Sequence, residues 1–246
     1  MVHEKKSGHI GGSFSIADLI AYLFSNFDLT KKEGDKLILS KGHAVPILYA
    51  VFSELGVIDE NELSSFRDID SRLQGHPDKV RLPATIATTG ALGQGLSISI
   101  GHALALKIKK KPQNVFCIIG DGEMQEGQVW ESLMLAPKYV LENLCCIVDY
   151  NKSQNDGLVE DILSLGDLQR KVESFGWNVV RCNGHDTDEI QSAINSFISC
   201  TSRPTFIILD TIKGMGVSFM QTSEWHAKVP NNEEFERALG ELNESY

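Results

Sequence analysis

The sequence has no apolar run long enough to cross a lipid bilayer, and its first residues, Met1 to Lys6, are mostly polar. A secretory signal would need an apolar segment there, so we predict neither a membrane span nor a signal peptide. Cysteine is also scarce, and none of it shows metal-ligand spacing: Cys117, Cys145, Cys146, Cys182 and Cys200. An odd number of cysteines without a disulfide framework is typical of a reducing compartment, so we predict a cytoplasmic protein.

Basic residues are fewer than acidic residues in this sequence. Lys and Arg together number 23 against 33 Asp and Glu, which gives a formal net charge of −10. A nucleic-acid-binding surface needs clustered basic residues, so we predict no nucleic-acid partner. The one basic cluster, 107–111, ends a predicted helix, where it complements the helix dipole. An acidic chain that binds a diphosphate would need a bridging cation.

What the sequence does contain is an alternation of short apolar, β-branched runs with amphipathic stretches, which is typical of βαβ units. The predicted strands are 36–40, 115–119, 144–150, 178–182 and 205–211. The predicted helices are 15–26, 45–55, 93–109, 126–142, 165–176 and 186–199. We therefore predict one α/β domain over 1–246, a parallel sheet with helices on both faces. The irregular stretch 64–92 is long for a compact domain and is expected to be functional or mobile.

The apolar strand that begins at Phe116 ends at Gly120-Asp121-Gly122, which leaves a carboxylate at the carboxyl edge of the sheet. Ligands of open α/β sheets bind at this edge, although Asp121 could also serve as the N-cap of a plain turn. The next strand ends in Asn151, thirty residues later, at the same edge. A carboxylate and an amide oxygen are hard donors that suit Mg²⁺, which proteins usually bind together with substrate phosphates.

Gly120-Asp121-Gly122 followed by Asn151 resembles the diphosphate-binding motif of thiamine-diphosphate enzymes. Five further segments, in order and at similar spacing, narrow the resemblance to the amino-terminal domain of transketolases. They are Ser7-Gly8-His9, Leu39-Ser40-Lys41-Gly42-His43, Gly75-His76-Pro77, Thr89-Gly90-Ala91-Leu92-Gly93-Gln94-Gly95 and Trp225-His226. The resemblance covers 7–230, and it implies the thiamine-diphosphate-binding fold and transfer of a two-carbon ketol unit between sugars.

The resemblance also implies how the cofactor is bound. Asp121, Asn151 and the Ser153 carbonyl would bind Mg²⁺. The resemblance also implies direct contacts with thiamine diphosphate. Gly120 and Gly122 would contact the diphosphate, and the backbone of Gly90 and Leu92 would contact the aminopyrimidine. His43, His226 and Glu126 would contact the cofactor as well. In the family, the Glu126 position faces a subunit interface and communicates with the partner's cofactor-activating acid. Glu131 lies in the same network.

Four histidines flanked by loop-forming residues are the expected catalytic groups, because imidazole donates, accepts and carries protons near neutral pH. The resemblance assigns His9 and His226 to substrate hydroxyls and proton transfer. It places His43 near the diphosphate and the substrate, and His76 near the terminal hydroxymethyl group. Taken singly, each histidine is more typical of a structural residue.

In transketolases the glutamate that activates the aminopyrimidine belongs to a second domain, and no segment up to Tyr246 resembles that domain. We therefore predict the diphosphate-binding half of a split transketolase, which needs a separately encoded carboxy-terminal subunit, in an α2β2 assembly acting on sugar phosphates. Three departures leave the substrate open. Ile10 and Ala91 stand where the family often has proline, and Ala227 where glycine is common.

Two alternatives remain open at this point. One is half of another thiamine-diphosphate enzyme, such as a 2-oxo-acid dehydrogenase α subunit or a deoxyxylulose-phosphate synthase-like protein. The other is a non-catalytic assembly subunit. The four histidines favour a polyhydroxylated ketose over a simple oxo acid, and an assembly subunit would have no need of the metal motif.

Overall fold

The five predicted strands lie within one residue of their predicted ends, and two further short strands, at 153–154 and 157–158, were not predicted. A computed structural model describes residues 1–244. In chain order the strands are β1 (Lys36–Leu39), β2 (Val115–Gly120), β3 (Leu144–Tyr150), β4 (Ser153–Gln154), β5 (Gly157–Leu158), β6 (Asn178–Asn183) and β7 (Thr205–Asp210). Five of them form one parallel sheet in the order β1-β2-β3-β7-β6. The short strands β4 and β5 form a separate antiparallel hairpin.

Helices cover both faces of the sheet, as predicted. They are α1 (Val2–Lys5), α2 (Gly11–Phe14), α3 (Ala17–Asn26), α4 (Val45–Glu54), α5 (Gln94–Ile108), α6 (Gly127–Lys138), α7 (Val159–Leu163), α8 (Leu168–Ser174), α9 (Thr187–Ser199) and α10 (Asn232–Glu244). Helices α3, α4 and α9 lie on one face, and α5, α6 and α8 lie on the other. Within residues 1–244, no helix has both the length and the apolar character needed to span a membrane.

Successive residues of the central strands point alternately into two apolar layers. In β2, Phe116 and Ile118 pack under α3, α4 and α9, whereas Cys117 and Ile119 pack under α5 and α6. All four side chains are fully buried. A strand that is covered on both faces needs apolar residues at every position, which explains why these strands read as continuous hydrophobic runs.

Because the five strands are parallel, their carboxyl ends meet at one edge of the sheet. Ser40 follows β1, Asp121 follows β2, Asn151 follows β3 and Thr211 follows β7. A short 3-10 helix, Gly122–Gln125, separates Asp121 from α6 and was not predicted. The stretch 66–93 contains no helix or strand, in agreement with the expectation for 64–92, and Phe66 and Leu73 fix it to the core.

Candidate active site

A cavity of about 410 Å³ opens at the carboxyl edge of the sheet. All twelve residues predicted for the site line it: His9, His43, His76, Gly90, Leu92, Gly120, Asp121, Gly122, Glu126, Asn151, Ser153 and His226. The cavity is also lined by Lys41, Glu123 and Lys213, which were not predicted to belong to the site. The structure therefore brings the predicted residues together, and their individual roles stay predictions.

Asp121 is buried at the end of β2, where the turn offers its carboxylate two backbone donors. Oδ1 accepts the Gly122 N–H at 2.7 Å, and the other oxygen accepts the N–H of Lys152. Burial, together with the nearby Asp149 carboxylate, raises the pKa of Asp121 to about 7. The buried negative charge is therefore disfavoured by its surroundings, and a bound cation would stabilise it.

Asn151 and Ser153 supply two further oxygen atoms beside Asp121. The Asn151 amide donates from Nδ2 to the Asp149 carboxylate at 2.7 Å, and this contact fixes which way the amide points. Its Oδ1 accepts the Ser153 N–H at 3.1 Å, and the Ser153 carbonyl accepts from Lys213 Nζ at 2.9 Å. One carboxylate, one amide oxygen and one carbonyl form a donor set of the kind that Mg²⁺ prefers.

The residues present fit a metal-bound diphosphate. Ser153 Oγ and Gln154 Oε1 are buried at the cavity and have no hydrogen-bond partner. A Cβ on Gly122 would lie 3.0 Å from the Gln154 Cβ, so only glycine leaves the backbone open there. Within residues 1–244, no three His, Cys, Asp or Glu side chains form a metal-binding group. Mg²⁺ here would thus depend on ligand oxygens as well as on protein oxygens.

A buried ion pair lies beneath the cavity. Lys41 is 1% exposed, and its Nζ donates to the Asp149 carboxylate and, at 2.9 Å, to the Gly12 carbonyl. Asp149 also accepts hydrogen bonds from Ser15 Oγ at 2.7 Å and from Thr211 Oγ1. Burial alone would raise the pKa of Asp149, but Lys41 and these hydrogen bonds bring it below its usual value. These hydrogen bonds offset the cost of burying the two charges.

A second buried lysine, Lys213, reaches the cavity from the segment after β7. It is 4% exposed, and besides the Ser153 carbonyl it contacts Nδ1 of His226 at 3.0 Å. Burial, together with the nearby charge of Lys41, lowers the pKa of Lys213 to about 8. The two buried ammonium groups face two buried carboxylates, Asp121 and Asp149, so a polyanion would need a bound cation as well as the lysines here. In the sequence, Lys41 and Lys213 could have been recognised as site residues because each follows shortly after an apolar strand.

Three histidine rings pack together next to Lys213 in the cavity. Their ring centroids are 4.9 Å apart for His43 and His226 and 5.3 Å apart for the two pairs that include His9. Nδ1 of His9 donates to the His226 carbonyl at 3.0 Å, so its Nε2 is left as an acceptor. Lys213 donates to Nδ1 of His226, which leaves the proton of the neutral ring on Nε2.

His76 lies beside Gly90 on the same cavity. Gly90 has φ +143°, and a Cβ there would lie 3.1 Å from the His76 ring, so the backbone and the imidazole pack closely. Burial lowers the pKa of His9, His43, His76 and His226. The effect is largest for His43 and for His226, whose pKa falls to about 3 through burial and the charge of Lys213. All four rings are therefore neutral near pH 7.

Glu126 stands at the mouth of the cavity, exposed, at the amino end of α6. Its side chain makes no capping hydrogen bond to the helix, and Glu131 on the next turn is also exposed. Both carboxylates are therefore available to a partner molecule, and the predicted role of Glu126 at a subunit interface stays a prediction.

Known proteins with this sequence pattern and this fold were found by comparison. A family profile described as "Transketolase, thiamine diphosphate binding domain" matches residues 1–241. The chain is 34% identical to one subunit of the apulose-4-phosphate transketolase of Phocaeicola vulgatus, with 99% of this chain and 89% of that protein covered. It is 41% identical to the 6-deoxy-6-sulfo-D-fructose transketolase subunit SqwG of a Clostridium species, over 87% of this chain and 80% of that protein.

Among solved structures, the transketolase of Pichia stipitis in complex with sedoheptulose-7-phosphate superimposes with a TM-score of 0.92 at 28% identity. That alignment covers 98% of this chain but only 38% of the solved one. The chain thus spans less than half of that solved transketolase and most of the two proteins that are named as transketolase subunits.

Proposed function

Since this chain belongs to the transketolase family through its thiamine diphosphate binding domain, we propose that it is the diphosphate-binding half of a two-subunit transketolase. The reaction is transfer of a two-carbon ketol unit from a ketose to an aldose, dependent on thiamine diphosphate and Mg²⁺. The observation that carries the proposal is the cavity itself, in which Asp121 and Asn151, two buried lysines and four neutral histidines line one volume.

The residues that would bind the cofactor form two groups. Asp121, Asn151 and the Ser153 carbonyl would bind Mg²⁺, and Lys41 and Lys213 would neutralise the diphosphate beside Gly120 and Gly122. The backbone at Gly90 and Leu92, on the His76 side of the cavity, would meet the aminopyrimidine ring. Bound thiamine diphosphate supplies the electron sink that ketol transfer requires.

The histidines would position the sugars and move protons. His9 presents Nε2 as a hydrogen-bond acceptor, and His226 presents Nε2 as a donor. A neutral acceptor and a neutral donor side by side can bind neighbouring hydroxyls of a sugar, and they can take up or return a proton at the reacting carbon. His43 packs against these two rings and is near enough to Lys41 for its charge to lower the His43 pKa, and His76 lines the same cavity.

Support for a separate partner comes from relatives. Two that match over most of their length are named as transketolase subunits. In our proposal a carboxy-terminal subunit supplies the activating glutamate, meets Glu126 at the interface and completes an α2β2 assembly. The free cysteines within 1–244 fit a cytoplasmic location.

The substrate class follows from the same relatives, whose names specify apulose-4-phosphate and 6-deoxy-6-sulfo-D-fructose. Both are ketoses that carry a terminal anionic group. We therefore propose a ketose phosphate or a ketose of similar charge as donor, with an aldose as acceptor.

The test is to purify the chain alone and together with the carboxy-terminal transketolase subunit of the same organism. Calorimetry with Mg²⁺ and thiamine diphosphate, followed by assays with a panel of ketose phosphates, should show metal-dependent cofactor binding and ketol transfer by the pair, with no transfer by the chain alone. Full turnover by this polypeptide by itself would refute the two-subunit proposal. A pair without metal-dependent cofactor binding would indicate a non-catalytic assembly subunit.

A further inference from the structure

Glu123 is a buried carboxylate that the proposed chemistry does not use. It belongs to the 3-10 helix after Asp121 and is 2% exposed. Burial raises its pKa, and hydrogen bonds from Ser40, Gly93 and Gly120 oppose that rise. A carboxylate is costly to bury, so its contacts must provide a compensating gain.

The three hydrogen bonds of Glu123 come from three different segments of the chain. Oε1 accepts the Gly93 N–H at 2.9 Å and the hydroxyl of Ser40, and Oε2 accepts the Gly120 N–H at 3.0 Å. Ser40 follows β1, Gly93 directly precedes α5 and Gly120 is the last residue of β2. One side chain therefore joins two strand ends to the beginning of a helix.

The same side chain completes the amino end of α5. Gly93 occupies the N-cap position with φ +82° and has no side chain to cap the helix. The first backbone N–H groups of a helix need acceptors from elsewhere. Here Glu123 accepts from Gly93, and Ser40 Oγ accepts from Gly95 at 3.0 Å. Glu123 and Ser40 thus fix the start of α5 from outside the helix.

This position connects the two halves of the proposed cofactor site. Gly90 and Leu92 lie directly before the start of α5, and Asp121 and Gly122 lie directly before Glu123. We propose that Glu123 is a positioning residue that fixes the spacing between the aminopyrimidine segment, 90–92, and the diphosphate segment, 120–122. The inference rests on the proposed function, because it takes from there which end of the cofactor each segment meets.

Only a carboxylate can satisfy all these donors. An amide of the same size has one accepting oxygen and one NH₂ group. In a Glu123→Gln variant, the NH₂ group would face Ser40, whose hydroxyl can accept a hydrogen bond, and the amide oxygen would stay on the Gly120 N–H, so the Gly93 N–H would be released. The volume of the side chain hardly changes, so the packing around it is kept.

The experiment measures binding of two probes to the full chain by calorimetry, each with Mg²⁺: thiamine diphosphate and inorganic pyrophosphate. Pyrophosphate tests the diphosphate segment alone, whereas the cofactor needs both segments at the correct spacing. For Glu123→Gln we expect thiamine diphosphate to bind about tenfold more weakly, as for the loss of one charge-assisted hydrogen bond, with pyrophosphate affinity unchanged.

Ser99→Ala is the matched control. Ser99 is buried on α5 and donates to the Gly95 carbonyl at 2.7 Å, but it joins no second segment. We expect it to leave both affinities unchanged. Should Glu123→Gln fail to fold, Ser40→Ala keeps the carboxylate and releases the Gly95 N–H, and a smaller loss confined to thiamine diphosphate is expected.

The outcomes separate the two proposals. A variant that loses both probes equally, or neither, overturns the positioning role, as does a wild-type chain that binds both probes with equal affinity. A wild-type chain that binds neither probe with Mg²⁺ even together with its carboxy-terminal subunit contradicts the proposed function itself.

Discussion

The body of strand β2 and the charged residues just past its carboxyl end are both buried, but they are stabilised in different ways. In β2, the residues from Val115 to Ile119 are apolar and fully buried between two layers of helices. Just beyond the end of the strand, the buried residues are two carboxylates, Asp121 and Glu123. The strand bodies gain free energy from burial, whereas the strand ends depend on hydrogen bonds and on opposite charge.

The pKa values of the charged groups at the strand ends show that hydrogen bonds and opposite charges offset only part of the cost of burying them. Burial raises the pKa of Asp121 to about 7, lowers that of Lys213 to about 8 and lowers that of His226 to about 3. Each shift disfavours the charged form, which is the effect of desolvation. A cation near Asp121 and an anion near Lys213 would restore those charges. The strand bodies therefore stabilise the fold, and the strand ends are organised for a charged ligand.

The largest expected effect is on the strand body. Phe116→Ala should lower the free energy of unfolding by about 3–5 kcal/mol, because the ring is fully buried and packs edge-on against Phe27 and Phe197. Urea denaturation measures the change. Ile108→Ala, at a side chain that is 72% exposed, should stay within about 0.5 kcal/mol. Similar losses for the two variants would contradict the assignment of Phe116 to the core.

A substitution at the end of the strand should weaken cofactor binding and leave the stability of the fold nearly unchanged. Asp121→Asn should weaken Mg²⁺-dependent thiamine diphosphate binding by about 100-fold or more, since a direct metal ligand is lost. Without ligand at pH 8 the variant should be about as stable as the wild type, because removing the disfavoured charge of Asp121 offsets the loss of one of its two backbone hydrogen bonds. Calorimetry and thermal unfolding test both statements.

The control for Asp121 is Asp156→Asn, the same change at an exposed carboxylate that lines the same cavity. It should leave cofactor binding unchanged. An equal loss of affinity in both variants would show that the general negative charge of the cavity matters, and not a ligand at 121.

Lys213→Met should have a smaller effect, about tenfold on the affinity for Mg²⁺-pyrophosphate, because Lys41 remains as a second cation. The same change should raise the pKa of His226, since the charge of Lys213 is one of the causes that lower it. An NMR titration of the His226 ring measures that shift. Lys152→Met, at an exposed neighbour of Asn151, should change neither quantity, and an unmoved His226 pKa in the Lys213 variant would contradict the contact.

The last expected effect is on acid stability. His226 has a pKa of about 3 in the folded chain and about 6.5 when unfolded, so the unfolded state binds the extra proton between these values. Its contribution to stability is fully present above pH 6.5 and is lost as the pH falls toward 3. In a His226→Asn variant, stability should therefore fall less steeply over this range. Parallel curves for variant and wild type would contradict the burial of a neutral ring.

The five-stranded sheet and the helices that cover it could be predicted from the sequence because each of these elements rests on a local pattern. Strand β3 occupies its predicted range, Leu144–Tyr150, and Asp186 caps α9 with its side chain, as the charged run before that helix predicts. Asp121 and Asn151 were found in the same way, because each follows an apolar strand. The short 3-10 helix Gly122–Gln125 was missed, since so short a turn after a glycine carries no periodicity.

The buried polar contacts could not be predicted, because their partners lie far apart in the chain. Lys41 and Asp149 are 108 residues apart, and Glu123 and Ser40 are 83 apart. Lysine and glutamate are ordinarily exposed, so composition alone gives no reason to bury them. Only the parallel arrangement of the strand ends brings these side chains together.

The most direct test of the metal site is anomalous diffraction from crystals of this chain grown with Mn²⁺ in place of Mg²⁺ and with thiamine diphosphate. Our account predicts one strong manganese peak within about 2.5 Å of oxygen atoms from Asp121, Asn151 and the diphosphate. A cofactor bound with its manganese peak elsewhere, and with the side chains of 121 and 151 directed away from it, would contradict the account.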